Sequence, residues 1–173
     1  YDLVKIDMNT SCRDEMIENI TDTDCTFDGY DGWINIDGMS FNVTRATWDK
    51  QGSTERAGGN PQFGDVSISK TIDKASPTLF QMACAGDPVK ITIRQLRSEA
   101  GAETYEPIMQ LELQEALVSS LSNGAGSESI SNSESVTFNF TAIEWVFYPQ
   151  KEDGTKEGQV AASYDIKQGK KSA

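Results

Sequence analysis

Short segments in which apolar and polar side chains alternate recur along most of the chain. A period of two residues is typical of a β-strand that buries one face. The clearest examples lie at residues 66–68, 89–93, 109–113, 136–140 and 160–166. About eight such strands, separated by turn signals, predict an antiparallel β-barrel or sandwich.

One segment, residues 64–86, joins a predicted strand to the one clear helix. Ser76 followed by Pro77 is a typical helix start, because a serine oxygen accepts a free backbone N–H and proline loses no hydrogen bond there. Gly86 suits the left-handed conformation that ends many helices. In the preceding strand, Lys70 interrupts the buried series and predicts a partly exposed middle.

Two long apolar segments follow the helix. Residues 105–121 predict one long strand, because Met109, Leu111 and Leu113 alternate strictly with polar residues. Residues 136–147 also alternate, but the apolar phase switches near Thr141. The switch predicts a single long strand that bends at this point.

The Gly-rich segment 44–64 predicts a long loop between two strands. A loop of this length inside a compact domain is usually functional or mobile. Its aromatic residues, Trp48 and Phe63, indicate that it packs against another surface. Gly58 and Gly59 do not form a phosphate loop, because no GK[ST] motif follows them.

The segment 9–30 is polar and irregular. Its Cys12 and Cys25 can form one local disulfide if the chain meets an oxidising compartment. The chain has no histidine to complete a common zinc set. Four nearby aspartates lack the spacing and the terminal Glu of an EF-hand, so a solvated acidic loop is favoured over a calcium site. They are Asp22, Asp24, Asp28 and Asp31. The third cysteine, Cys84, is predicted to be a small buried hydrophobe on the helix.

The charge balance argues against two classes of partner, nucleic acid and anionic membranes. Asp and Glu number 27 against 15 Lys and Arg, a formal charge of −12. A nucleic-acid binder needs cationic side chains for the phosphates, and an anionic membrane attracts basic segments. No apolar run approaches the roughly 20 residues that span a bilayer, and no signal-peptide core is visible. For Arg94 and Arg97, a solvated face is favoured over a salt bridge or a subunit contact.

The residue types also argue against catalysis. Without histidine, the Ser-His-Asp and Cys-His arrangements are impossible within one chain. No GxSxG elbow, P-loop or dinucleotide fingerprint is present. Glu112 with Glu115, or Asp153 with Glu157, are conceivable glycosidase pairs, but nothing marks either pair as facing across a cleft. We expect no enzymatic activity, no cofactor and no metal.

The stretch VSISKTIDKASPTLFQMACAG resembles the signature region of the haemolysin-coregulated protein family, the inner-tube subunits of bacterial type VI secretion systems. Five further segments agree in order: LVKID, GWINIDGMSFNV, LVSSLSNGAG, VTFNFTAIEWVFYPQKEDGTKEG and YDIKQGKK. The resemblance runs through nearly the whole chain. The segment 9–30 is expanded relative to the family, so its role cannot be inferred from the resemblance.

The resemblance implies a two-sheet antiparallel β-barrel with one flanking helix, in a single domain over residues 1–173. Six subunits would form a ring around a wide channel, and rings would stack into a tube. A contractile sheath would propel the tube, capped by a spike and able to carry effector proteins, from the bacterial cytoplasm to the extracellular space or a target cell. The segment 44–64 resembles the extended loop that reaches the adjacent ring. Its candidate stacking residues are Trp48, Gly58, Gly59 and Phe63.

Two other interpretations stay open. A tail-tube subunit of a contractile phage or a related injection particle shares the fold, and genomic neighbours would separate it from a secretion subunit. A monomeric ligand-binding β-barrel belongs to another class of protein. The native mass in solution separates that barrel from a ring.

Overall fold

The computed structural model describes residues 3–9, 25, 30, 32–49, 56–98, 105–124, 132–150 and 158–170. In these residues it contains eleven β-strands and one α-helix. The strands are β1 (Leu3–Asn9), β2 (Ile34–Ile36), β3 (Gly38–Ser40), β4 (Val43–Asp49), β5 (Arg56–Phe63), β6 (Val66–Thr71), β7 (Val89–Ser98), β8 (Tyr105–Gly124), β9 (Ser133–Asn139), β10 (Ala142–Phe147) and β11 (Val160–Asp165), and the helix is α1 (Ser76–Ala85).

The main sheet curls into a barrel, so that its first and last strands lie close together. Its strands pair in the order β2-β1-β7-β8-β9-β6-β3. The two outer strands of this order, β2 and β3, are consecutive in the chain and are separated only by Asp37. The Asp37 N–H donates to the carbonyl oxygen of Ser69 on β6 at 2.7 Å. The two ends of the strand order therefore lie next to each other, and the sheet is strongly curled.

The 20-residue strand β8 carries the rest of the sheet on its two edges. One edge pairs with β7, and the other pairs with β9 and then with β10. Because only Phe140 and Thr141 separate β9 from β10, the two form one long strand with the predicted bend. Before the bend, β9 pairs with β6, and after it β10 pairs with β11. The bend thus divides the sheet into the barrel and an extension made of β8, β10 and β11.

Hydrogen bonds to one carbonyl hold the bend. The backbone N–H and the hydroxyl of Thr141 donate to the Gln114 carbonyl oxygen at 3.0 and 3.2 Å. The next residue, Glu115, has a φ of 47°, unusual for a residue other than glycine. Its Oε2 accepts a hydrogen bond from Lys167 Nζ and shares the single hydroxyl hydrogen of Thr141 with the Gln114 carbonyl oxygen. The hydrogen bond from Lys167, followed by that from Thr141, lowers the pKa of the Glu115 carboxyl.

The barrel interior is filled by apolar side chains that follow the predicted alternation. Those at or below 1% exposure are Ile34, Val66, Ile68, Leu79, Ile91, Ile93, Leu111, Leu113, Val136 and Phe138, among others. Leu79 comes from α1, which packs its buried side chains onto this core. A core filled in this way confirms a mainly β fold with one flanking helix.

The helix begins and ends close to the predicted positions. Gly86 follows it with φ 69° and donates its N–H to the Met82 carbonyl at 3.0 Å, as predicted. The predicted cap by Ser76 is wrong, because Ala75 is the cap residue and no side chain caps the helix. Cys84 is exposed, so its predicted burial is also wrong. The helix packs only one stripe on the barrel, and Cys84 lies on the opposite side.

The described part of segment 44–64 is not a loop. Strands β4 and β5 form a separate two-stranded antiparallel sheet, which we call the hairpin. The prediction failed because residues 43–47 are exposed, so no apolar alternation marks the strands. Pro61 is tolerated in β5 because a strand of a two-stranded ribbon has one edge without a partner strand.

We expect Gly86→Ala to lower the free energy of unfolding by about 1–2 kcal/mol, the cost of a left-handed backbone for an L-residue. A new Cβ at Gly86 has nothing within 4 Å, so no clash adds to this cost. Gly158→Ala is the matched control, because its Cβ also meets nothing within 4 Å and its φ is not positive. Equal urea unfolding curves for the two variants would contradict the left-handed conformation of Gly86.

We expect Lys167→Ala to raise the pKa of Glu115 towards its ordinary value. A carboxyl whose pKa is lowered in the folded state stabilises the fold above its unfolded pKa, and this stabilisation is lost as pH falls through the folded pKa. Lowering the pH should therefore reduce the free energy of unfolding of the unchanged chain more than that of the Lys167→Ala variant. NMR titration of the Glu115 carboxyl and urea unfolding at neutral and acidic pH measure both effects. Lys170→Ala is the control, and a Glu115 pKa that is the same in both variants would refute the account.

Candidate assembly surfaces

A buried cluster of charged side chains fixes α1 to the barrel. Lys70 is fully buried, which corrects the predicted partly exposed position. Its Nζ donates to Thr71 O at 2.7 Å and Asp73 Oδ1 at 2.7 Å, and lies 3.2 Å from both Ser76 Oγ and Glu134 Oε2. Glu134 is also buried, on the neighbouring strand β9.

Ser76 has its role in this cluster instead of at the helix cap. Its hydroxyl donates to Glu134 Oε2 at 2.9 Å and accepts the Asp73 N–H at 3.1 Å. Asp73 Oδ1 also accepts the Ala75 N–H at 2.9 Å. The cluster therefore ties the end of β6 and the first turn of α1 to the start of β9. These further hydrogen bonds offset part of the desolvation cost of the buried ion pair, although Glu134 Oε1 is buried without a hydrogen-bond partner among the described residues.

The side of α1 that faces away from the barrel carries no charge. Its residues recur at helical spacing, and we call them the helix face: Pro77, Phe80, Gln81 and Cys84. All four are exposed, and Phe80 is 60% exposed. No charged residue occurs anywhere in SPTLFQMACA, the sequence of the helix.

The outer end of the β8–β10–β11 extension is also apolar. Along one side of this sheet, Ile143 is buried in the core, whereas Trp145 and Phe147 are each 47% exposed. Their partners on β11 are Ala162 and Val160, and Val160 is 63% exposed. We call Trp145, Phe147, Val160 and Ala162 the sheet face. The ring of Phe41 meets Trp145 edge-on at 5.6 Å.

The hairpin contains the four predicted stacking residues. Trp48 pairs in register with Ala57, and Gly58 pairs with Thr47. Phe63 lies at the hairpin base, where its ring is 5.2 Å from that of Tyr164 and packs against the core. The structure thus gathers Trp48, Gly58, Gly59 and Phe63 into one element, and their stacking role stays a prediction.

The expanded segment 9–30 is described only at residues 9, 25 and 30. Cys25 packs with Tyr105 against a small second cluster of Tyr30, Trp33 and Leu96. Cys12 lies outside the described residues, so the predicted bond between Cys12 and Cys25 stays a prediction. The four aspartates of the calcium hypothesis also lie outside them. No group of three or more metal-binding side chains occurs in the described residues.

Arg94 joins a polar network, so the solvated face predicted for it is wrong. Its guanidinium lies 4.9 Å from the Trp33 ring centroid, and its Nε donates to Gln110 at 2.7 Å. Gln110 in turn donates to Glu112 at 2.8 Å. Arg97 is exposed and donates to Gln150 at 2.7 Å.

The structure gives no support to either carboxylate pair. Glu112 forms an ion pair with Lys90 at 2.8 Å, whereas Glu115 pairs with Lys167. Asp153 and Glu157 lie outside the described residues. Among the helices that the structure describes, none is long and apolar enough to cross a membrane.

Sequence reasoning missed the helix face and the sheet face. One signal was available for the helix face, because an uncharged ten-residue helix is unusual in a chain with 24% charged residues. For the sheet face no local signal existed. Trp145 and Phe147 alternate like core residues, and only the bend before β10 carries them beyond the barrel.

We expect Lys70→Met to lower the free energy of unfolding by about 3–5 kcal/mol, because it leaves Glu134 buried without its cation. The double variant Lys70→Met with Glu134→Leu removes both charges. It should cost less than the sum of the two single variants, as urea unfolding measures through a double-mutant cycle. Additive costs would contradict an interaction between the two side chains.

The comparisons with known proteins agree with this geometry. The family model described as "Type VI secretion system effector, Hcp" matches residues 16–147. Protein hcp1 of Pseudomonas aeruginosa is 38% identical over 109 residues, which cover 60% of this chain and 64% of that relative. The chain thus matches slightly less than two thirds of that relative's length.

Solved structures share the fold along nearly the whole chain. A type six secretion system protein superposes with a TM-score of 0.83 at 19% identity, over 99% of this chain and 100% of the other. Hcp1 from Salmonella typhimurium superposes with a TM-score of 0.72 at 16% identity, over 98% of each chain. The family model covers well over half of the chain, and the predicted resemblance is confirmed: the chain belongs to the Hcp family of type VI secretion system proteins.

Proposed function

We propose that the chain is an inner-tube subunit of a type VI secretion system. One Hcp-like domain would assemble into rings of six, and the rings would stack into a tube. Family membership is the observation that carries this proposal. The barrel also supports it. Its interior is filled by side chains, so the contacts that build a ring or a tube would use the outer surfaces.

The partners in this proposal follow from the family. A contractile sheath surrounds the tube, a spike caps it, and effector proteins travel in the channel. The subunit assembles in the bacterial cytoplasm and is secreted to the extracellular space or a target cell. Its role is mechanical, and no catalytic residue is part of the proposal. A phage-type tail tube is the alternative with the same fold.

The hairpin is the element proposed to join neighbouring rings. A two-stranded ribbon is at best marginally stable alone in water. The hairpin is anchored at its base, where Phe63 packs on Tyr164 and the Gly64 N–H donates to the Asn42 carbonyl at 3.0 Å. Beyond that base, the described side chains of β4 are exposed. The ribbon is therefore free to pack on a second ring.

Shortening the hairpin tests the stacking role. We expect a variant that replaces residues 46–60 with Asn-Gly to form rings but no tubes. The strand pairing of Val43–Arg45 with Pro61–Phe63 at the base of the hairpin remains, whereas the part proposed to reach the next ring is removed. Negative-stain imaging of this variant beside the full chain measures both assemblies, and circular dichroism verifies the fold. Tubes formed by the shortened variant would contradict the stacking role. A full chain that never forms rings would contradict the proposed function itself.

A further inference from the structure

We propose that Asp65 is the positioning residue of the hairpin. Its carboxylate sets the direction in which the hairpin leaves the barrel, and this direction controls the stacking of rings. The inference rests on the proposed function, because it concerns the element proposed to join neighbouring rings. Asp65 lies between Phe63, which ends β5, and Val66, which begins β6. It therefore stands where the chain returns from the hairpin to the barrel.

The hairpin depends on contacts other than strand pairing for its direction. Among the described strands, β4 and β5 pair only with each other. The two short links that join them to the barrel are tied to each other, because the Gly64 N–H donates to the Asn42 carbonyl at 3.0 Å. Phe63 packs the base of the hairpin on the core, but apolar packing is not directional. A directional contact from the links to the barrel is therefore needed to fix the hairpin.

The Asp65 carboxylate supplies hydrogen bonds to two strands of the barrel. Its Oδ1 accepts a hydrogen bond from Asn139 Nδ2 at 2.8 Å, and its Oδ2 accepts one from the Ser119 hydroxyl at 2.6 Å. Asn139 is the last residue of β9, and Ser119 lies in β8. Hydrogen bonds to an ionised acceptor are roughly twice as strong as those between neutral groups. The two bonds therefore fix the end of the hairpin relative to two barrel strands.

A β-bulge in β8 brings Ser119 to this position. Val118 pairs with Phe138 and Ser120 pairs with Thr137, so Ser119 is an extra residue between two consecutive pairs. A bulge interrupts the regular alternation of side chains along a strand and redirects one of them. The hydrogen bond from Ser119 to the carboxylate gives this bulge a role in positioning the hairpin.

The single hydroxyl hydrogen of Ser119 decides which atoms donate in this cluster. That hydrogen is donated to Asp65, so the Thr137 hydroxyl is the donor in the 2.8 Å contact between Thr137 and Ser119. The three side chains form a chain of hydrogen bonds that ends on the carboxylate, and each bond polarises the next. Because the cluster lies at the surface, its loss should change the direction of the hairpin more than the stability of the fold.

The distance between the hairpin and the barrel tests the positioning role directly. In a chain whose three cysteines are replaced by serine, spin labels at Thr47→Cys on β4 and Ser135→Cys on β9 report this distance, since both positions are exposed. Labelled chains are diluted into unlabelled chains, so that distances within one chain dominate. Asp65→Ala should broaden the distance distribution. Asp65→Asn should keep it narrow, because an amide can still bond to Ser119 and to the Asn139 amide.

Tube assembly tests the consequence for stacking. By negative-stain imaging at high protein concentration, Asp65→Ala should form rings but few or no tubes, and Asp65→Asn should restore the tubes. Asp87→Ala is the matched control, because Asp87 is an exposed aspartate on the link between α1 and β7, outside this cluster. It should form tubes and keep the narrow distance distribution. Urea unfolding measures whether each variant keeps the stability of the unmodified chain.

The outcomes separate this inference from the proposed function. Tubes formed by Asp65→Ala, or an unchanged distance distribution in it, would overturn the positioning role while the rings stand. Failure of Asp65→Asn to restore tubes, with both variants less stable than the unmodified chain, would also overturn it, because the residue would then act on folding. An unmodified chain that forms rings but never tubes would overturn the link to stacking, and one that never forms rings would overturn the proposed function itself.

The result that supports the inference combines both measurements. Asp65→Ala would keep its rings, lose its tubes and show a broad distribution, and Asp65→Asn would reverse the last two effects.

Discussion

Backbone pairing along the two edges of β8 positions the other strands of the main sheet. One edge holds β7, while the other holds a single long strand that bends at Thr141. Because of that bend, β9 continues into the barrel whereas β10 leaves it with β11. The same event closes the core and carries Trp145 and Phe147 beyond it. A flat strand at this position would give neither result.

The buried ion cluster is the second interaction that organises the fold. Lys70, Ser76 and Glu134 fix where α1 starts on the barrel, and Gly86 fixes where it ends. A helix held at both ends presents its outward face in one orientation. The buried charges at the start of α1 therefore position the helix on the barrel.

Much of the fold was predictable because its signals are local. The alternation of Met109, Leu111 and Leu113 marked β8, the phase switch marked the bend, and Gly86 marked the helix end. Lys70 could not be placed, because its partner Glu134 lies 64 residues away in sequence and only the paired strands bring them together. The hairpin was missed because its exposed strands lack an apolar alternation. Family likeness identified the function class, but no alternation pattern marked Trp145 and Phe147 as exposed.

Assembly into rings of six is the first property that the proposed function requires of this chain. Native mass spectrometry of the unmodified chain across a range of concentrations measures it. We expect a species of six chains, each of 19.0 kDa, that persists on dilution and exceeds any dimer. A single-chain species at every concentration would contradict it.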